Sequence, residues 1–287
     1  MKNAKKVIIS SVIIILVIFS LIVIKTLTFF HSLRECSDFK DLRKAKLAGS
    51  IVINLEELYG EDFFCDSLGT YGDLATYICH PVNDPTLHFK GEASSSSGYI
   101  TASAYPDAIL AREDTAIMND IFSGIPGTVT SYRHPYHGTF LQEYNVYRGE
   151  YSIDELRKTI YHNYLWFDVF FDVSDNEFIN DPEREYYYLQ QCAEELMDFY
   201  REASDKNYFV LMHVYYMDAD ACSSAIEYLN TGHDASNDSE FRFGRKIIIA
   251  FGSVEEFDIP EGWQIAPDEF LEERNHIDIY IKEHYGF

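Results

Sequence analysis

The sequence predicts an α+β fold held behind a single membrane-spanning helix. Three observations carry this. Residues 7–24 (VIISSVIIILVIFSLIVI) form an uncharged run of 18 residues. Residues 165–173 place Leu165, Phe167, Val169, Phe171 and Val173 at every second position, the period of a half-buried strand. Leu189, Cys192, Ala193, Leu196, Phe199, Tyr200 and Ala203 recur at the spacing of one helix face. Strand-like and helix-like segments follow one another in mixed order, with no internal repeat.

A helix rises about 1.5 Å per residue and a bilayer core is about 30 Å thick, so residues 7–24 are long enough to span one. Lys2, Lys5 and Lys6 make residues 1–6 a short basic tail. The apolar run exceeds the roughly 7–15 residues of a cleavable signal peptide and leads into no A-x-A-like site, which favours an uncleaved signal anchor. Lys25, Arg34, Lys40 and Arg43 follow the run, so basic residues flank it on both sides. The arrangement common for a short N-terminal anchor leaves the tail in the cytoplasm. The expectation is a single-pass protein of the cell membrane, its soluble domain extracytoplasmic, with residues 25–50 as a juxtamembrane stalk.

Charge narrows the partners. The first 30 residues hold four lysines and no carboxylate, leaving 19 Lys and Arg against 47 Asp and Glu, a formal net charge of −28. Such a field repels phosphate backbones, so no nucleic-acid partner is expected. The 21 Phe and 22 Tyr can fill a large core and argue against disorder. Five cysteines with no C-x-x-C leave two readings open, a Cys65–Cys79 disulfide or buried thiols.

Residues 51–150 read as a β-rich subdomain. Residues 50–55 (SIVINL), 98–102, 128–133 and 139–147 have strand character, separated by turn-prone clusters at 83–85, 94–98 and 124–127. Residues 107–122 suit a helix. Residues 151–287 read as a second, α+β subdomain. Ser152 and Glu155 form a capping box for a helix running to about residue 163. The strand at 165–173 follows, then a helix opened by Asp181-Pro182. Residues 208–217 are almost wholly apolar, like a central strand. A short helix at 219–229, a strand at 241–251 and a helix at 267–274 come next. Residues 276–282 alternate again, with Ile277, Ile279 and Ile281 on one side. That order matches the split β-α-β pattern of a ferredoxin-like half.

No G-x-S-x-G, S-x-x-K, H-E-x-x-H, G-x-G-x-x-G or phosphate-loop motif is present, and no cofactor is assigned. The richest constellation is His80 and His88 beside Cys79, with His134, His137 and Glu143 further on. Imidazole, thiolate and carboxylate are ligands zinc accepts, so His80, His134 and His137 are the metal candidates, with Glu143 as general base. Histidines in turns beside Pro135 are also ordinary surface residues. Asp172, Ser174, Asn176, Asn180 and Glu183 mimic calcium-loop spacing, but Glu177 occupies the place of the turn glycine. Trp166 and Phe170 lie opposite the aliphatic face of their strand, where an open aromatic surface would bind a protein or an extracellular ligand. Two functions follow: a membrane-anchored binding or scaffold domain, or a metal-dependent hydrolase with a His-rich site.

Overall fold

The computed structural model describes residues 42–135, 153–159, 164–175, 181–204, 208–232, 246–252 and 267–285. The run at 7–24, His137, Glu143, the 139–147 strand and Ser152 lie outside these residues. Among the described residues, no helix is long and apolar enough to cross a membrane. The described residues form an α+β fold with two four-stranded sheets, one of them wholly antiparallel.

The first sheet is a meander of β1 (Phe63–Tyr71), β2 (Leu74–Pro81), β3 (Phe89–Ser94) and β4 (Ile100–Ser103), in that spatial order. Helix α1 (Leu42–Tyr59) and the start of α2 (Tyr105–Phe122) close one face of it. Tyr105 is the centre of an aromatic group. Its ring lies 4.8 Å from Tyr59, 5.1 Å from Phe63 and 5.0 Å from Phe89. Such offset or edge contacts add about 0.5–1.5 kcal/mol each beyond area burial. Gly98, at φ +73°, turns the chain between β3 and β4 and offers its carbonyl to Asn54 Nδ2 at 2.9 Å. A Cβ there would stand 2.6 Å from Ser50 Cβ, so glycine lets this hairpin meet α1.

The second sheet runs β5 (Val129–Arg133), β6 (Tyr164–Asp172), β7 (Phe209–Met217), β8 (Lys246–Phe251). Its central pair, β6 and β7, is parallel, and both outer pairs are antiparallel. Helix α3 (Ile153–Thr159) precedes β6, and α4 (Pro182–Ser204) makes the crossover from β6 to β7 that a parallel pair requires. Asp181 caps α4 by accepting from Arg184 N at 3.1 Å. Helix α5 (Ala219–Asn230) is capped by Asp218, which accepts from Ala221 N at 2.8 Å, and α6 (Pro267–Tyr285) follows β8. The apolar residues Leu165, Phe167, Val169 and Phe171 face α4 and α6 in the main core. On the opposite side, Phe170, Tyr215 and Met217 lie under Cys222, Ala225 and Leu229 of α5.

Three expectations are corrected. Residues 276–282 are not a strand but part of α6, and the fourth strand of the sheet is β5. Because β6 and β7 pair directly, the second sheet is not the split arrangement of a ferredoxin-like half. Residues 50–55 likewise belong to α1. The cause is the same in both segments. Ile277 and Ile281 are one helical turn apart and buried, with Phe270 and Arg274 continuing the stripe, while Ile279 is 56% exposed. Ile51 and Leu55 are buried and Ile53 is 53% exposed. Sampled at every second residue, a helix of branched aliphatics imitates a strand.

Helix α2 belongs to both cores. Tyr105 and Ala108 serve the first, and Met118 and Phe122 the second. Between them a buried ion network clamps α2 to its neighbours. Arg133 of β5 reaches Asp107 at 2.9 Å and Asp114 at 3.1 Å. Asp114 also accepts from the Tyr200 hydroxyl of α4 and faces Arg157 of α3 at 3.8 Å. Burial pushes the Asp114 carboxyl upward against the pull of Arg133, Tyr200 and Arg157. Burial also opposes the charge on Arg133, but Asp107 and Asp114 more than reverse it and the net shift is upward. A second network repeats the chemistry. Arg274 of α6 donates to Glu185 of α4 at 2.6 Å, Tyr216 of β7 donates to the same carboxylate, and the guanidinium lies 4.7 Å over the Tyr216 ring.

Two measurements check this account. Urea unfolding of Arg133→Leu is expected to lose about 3–5 kcal/mol, because two carboxylates remain buried without their cation. Ile281→Ala is expected to lose about 2–5 kcal/mol while Ile279→Ala stays within about 0.5 kcal/mol, a contrast that a strand with all three isoleucines inward would not give.

Candidate functional site

The outer face of the first sheet carries one chemically loaded group. Along β1, Phe63, Cys65 and Leu68 turn inward, so the alternation slips by one residue. The slip is a β-bulge between Cys65 and Ser67, and Asp66 sits in it. A bulge bends its strand and re-aims a side chain, here toward His80 at the end of β2. Asp66 Oδ2 lies 2.8 Å from His80 Nδ1 and 3.4 Å from His88 Nε2, with His88 just before β3. The two imidazoles are 5.1 Å apart, and the Phe64 ring packs against His80 at 5.3 Å. One ligand atom from each of Asp66, His80 and His88 lies within 4.8 Å of the others. The three side chains are 30%, 14% and 18% exposed, so the group is walled in but reachable. His88 Nδ1 is buried with no hydrogen-bond partner among the described residues.

Two imidazoles and a carboxylate on one side of a cation form the donor set that zinc and ferrous iron accept, with positions left for water or substrate. The surrounding acidic field favours a cation further.

A second histidine group lies on the α5 side of the second sheet. Asp168 of β6 is fully buried, and its cross-strand neighbours are Tyr132 on β5 and His213 on β7. His134 Nε2 stands 2.6 Å from Asp168 Oδ2, and His213 Nδ1 stands 3.5 Å from Oδ1. Trp166 stacks on His134 at 4.4 Å and tilts against His213 at 4.9 Å. A small cavity of about 80 Å³ has His88, Tyr132, Arg133 and Pro135 in its wall. The carboxylate is hydrogen-bonded to the His134 ring, and the His213 ring lies beside it.

The metal candidates therefore divide. His80 joins Asp66 and His88, His134 joins Asp168 and His213, and His137 lies outside the described residues. Asp66 was absent from the sequence-based set because its partners are cross-strand, although the slipped alternation of β1 was a usable signal. His213 is buried on β7. Of the aromatic candidates, Trp166 is half-buried between imidazoles. Phe170 is a correction: it is fully buried, with Tyr215 stacked on it at 5.2 Å beneath α5, so it offers no open surface. It forms the floor of a cavity of about 500 Å³ bounded by Thr130, Asp172, Ile226 and Glu227. Asp172 accepts from Ser174 N at 2.9 Å within a local turn, and Asn176 and Asn180 of the calcium-like spacing lie outside the described residues. Burial pushes the Cys192 and Cys222 thiols up to about 12, which leaves them as inert core residues.

Replacing Asp168 tests the second group. Asp168→Leu is expected to lose about 1–3 kcal/mol by urea unfolding, since His134 Nε2 loses its buried hydrogen-bond partner, and Asp168→Asn is expected to fall between it and the parent.

No family model and no curated protein matches the sequence. In three dimensions the chain is similar to a DUF5037 family protein from Ruminococcus gnavus ATCC 29149. The likeness covers 80% of this chain and 99% of that one, at a TM-score of 0.52 and 16% identity. At that identity the two proteins are alike in fold alone.

Proposed function

We propose that this chain is a membrane-anchored binding domain whose ligand is a divalent transition-metal ion, held by Asp66, His80 and His88. The convergence of three ligand atoms within 4.8 Å carries the reading. The acidic composition supports it. The anchor is the apolar run at 7–24, which places the domain at the cell membrane on the extracytoplasmic side. Protein or extracellular partners remain compatible with that placement, and nucleic acid does not.

A metal-dependent hydrolase is the second reading. One observation favours it: three protein ligands leave a coordination position open, and the cavity beside His88 reaches Pro135, next to the His134–Asp168 pair.

Zinc titration of the full chain in detergent, with a chromogenic chelator as competitor, tests the first reading. One equivalent is expected to bind, and His80→Ala or His88→Ala is expected to weaken binding by roughly a hundredfold. Unchanged affinity in both variants removes the site. Turnover of chromogenic esters or phosphate esters that follows zinc occupancy would place the hydrolase ahead.

A further inference from the structure

Cys65 and Cys79 stand directly opposite each other in the β1–β2 ladder. Each is followed at once by a member of the metal group, Asp66 after Cys65 and His80 after Cys79. We propose that these cysteines close as a cross-strand disulfide when the chain folds in an oxidising compartment, and that this bond sets the metal affinity of the Asp66–His80–His88 group. The coupling rests on the metal reading above.

The geometry suits the bond. Opposed residues of an antiparallel pair have Cα atoms about 4.5 or 5.5 Å apart, inside the roughly 4.4–6.8 Å span of disulfides. Both cysteines are buried thiols, and Cys65 Sγ donates to the Ser67 carbonyl at 3.4 Å, across the bulge. Both side chains point into the core while Asp66 and His80 face outward. The bond would therefore lie beneath the site and compete for none of its ligands.

The coupling follows from where β1 sits. It is an edge strand whose one strand neighbour among the described residues is β2, and its register is broken between Cys65 and Ser67. The placement of Asp66 depends on how firmly β1 is fixed at that one point. A covalent link at the neighbouring residue fixes it and lowers the ordering cost of binding.

The chemistry is exchange with a small-molecule disulfide such as oxidised glutathione. One protein S–S bond forms and one glutathione S–S bond breaks. Two cysteine thiols are oxidised, and their protons leave on two glutathione thiols. Cys79 is fully buried and out of reach of a small-molecule disulfide in the folded chain, so exchange belongs to folding, before β1 docks.

The test compares full-length chain folded with oxidised glutathione against chain kept in reductant. Alkylation under denaturing conditions with peptide mapping reads the bond, and competitive zinc titration reads the site. In the oxidised form the Cys65 and Cys79 peptides are expected to be linked, and zinc is expected to bind roughly fivefold or more tightly than in the reduced form. A Cys65→Ser, Cys79→Ser double variant is expected to match the reduced form under both conditions. Alkylation of both cysteines in the oxidised sample overturns the disulfide. A mapped disulfide with equal zinc affinity in the two forms overturns the coupling. A mapped disulfide with no zinc binding in either form overturns the metal reading, and the coupling with it.

Discussion

The contact on which the two sheets depend is a guanidinium between two carboxylates. Arg133 enters from β5 and meets Asp107 and Asp114 on α2, all three nearly sealed from water. Burying one such charge costs several kcal/mol, and only close pairing offsets it. The two carboxylates therefore fix where β5 lies along α2. Because α2 supplies apolar residues to both cores, this clamp aligns the second sheet with the first. Arg157 and Tyr200 then draw α3 and α4 to the same carboxylate.

The composition makes sense in that light. An excess of acid and an excess of tyrosine are complementary when acids are carried inside. Tyr105 donates to Glu61, Tyr200 to Asp114 and Tyr216 to Glu185. Burial, reinforced by the adjacent carboxylate, pushes Tyr200 and Tyr216 well above the usual phenol range, so both remain donors. Each tyrosine brings apolar area and one hydroxyl, and it can neighbour an acid at a helix–sheet junction without a second charge.

Much of the second half was legible because its strands are long and their two faces differ. The expected strands 128–133, 165–173 and 208–217 correspond to β5, β6 and β7. The first three strands were not legible. FFCDSLGTY, LATYICHP and FKGEAS interrupt a clear apolar–polar alternation with small or polar residues, and β1 is bulged. Ile53 and Ile279 misled in the other direction, as exposed aliphatics between buried ones. Of the site, the histidines were visible and their carboxylates were not. His80 meets Asp66 and His134 meets Asp168 through sheet pairing, which spacing along the chain does not encode.

The bulge in β1 has an effect on assembly as well. An edge strand displays free backbone groups in a regular row, a ready template on which another chain can add a strand. At Cys65–Ser67 that row is out of step, and a bulge increases the local twist. The opposite border of the same sheet, β4, is only four residues long. One border is irregular and the other is short, so the irregularity that aims Asp66 at two histidines also discourages this sheet from growing into a neighbouring copy.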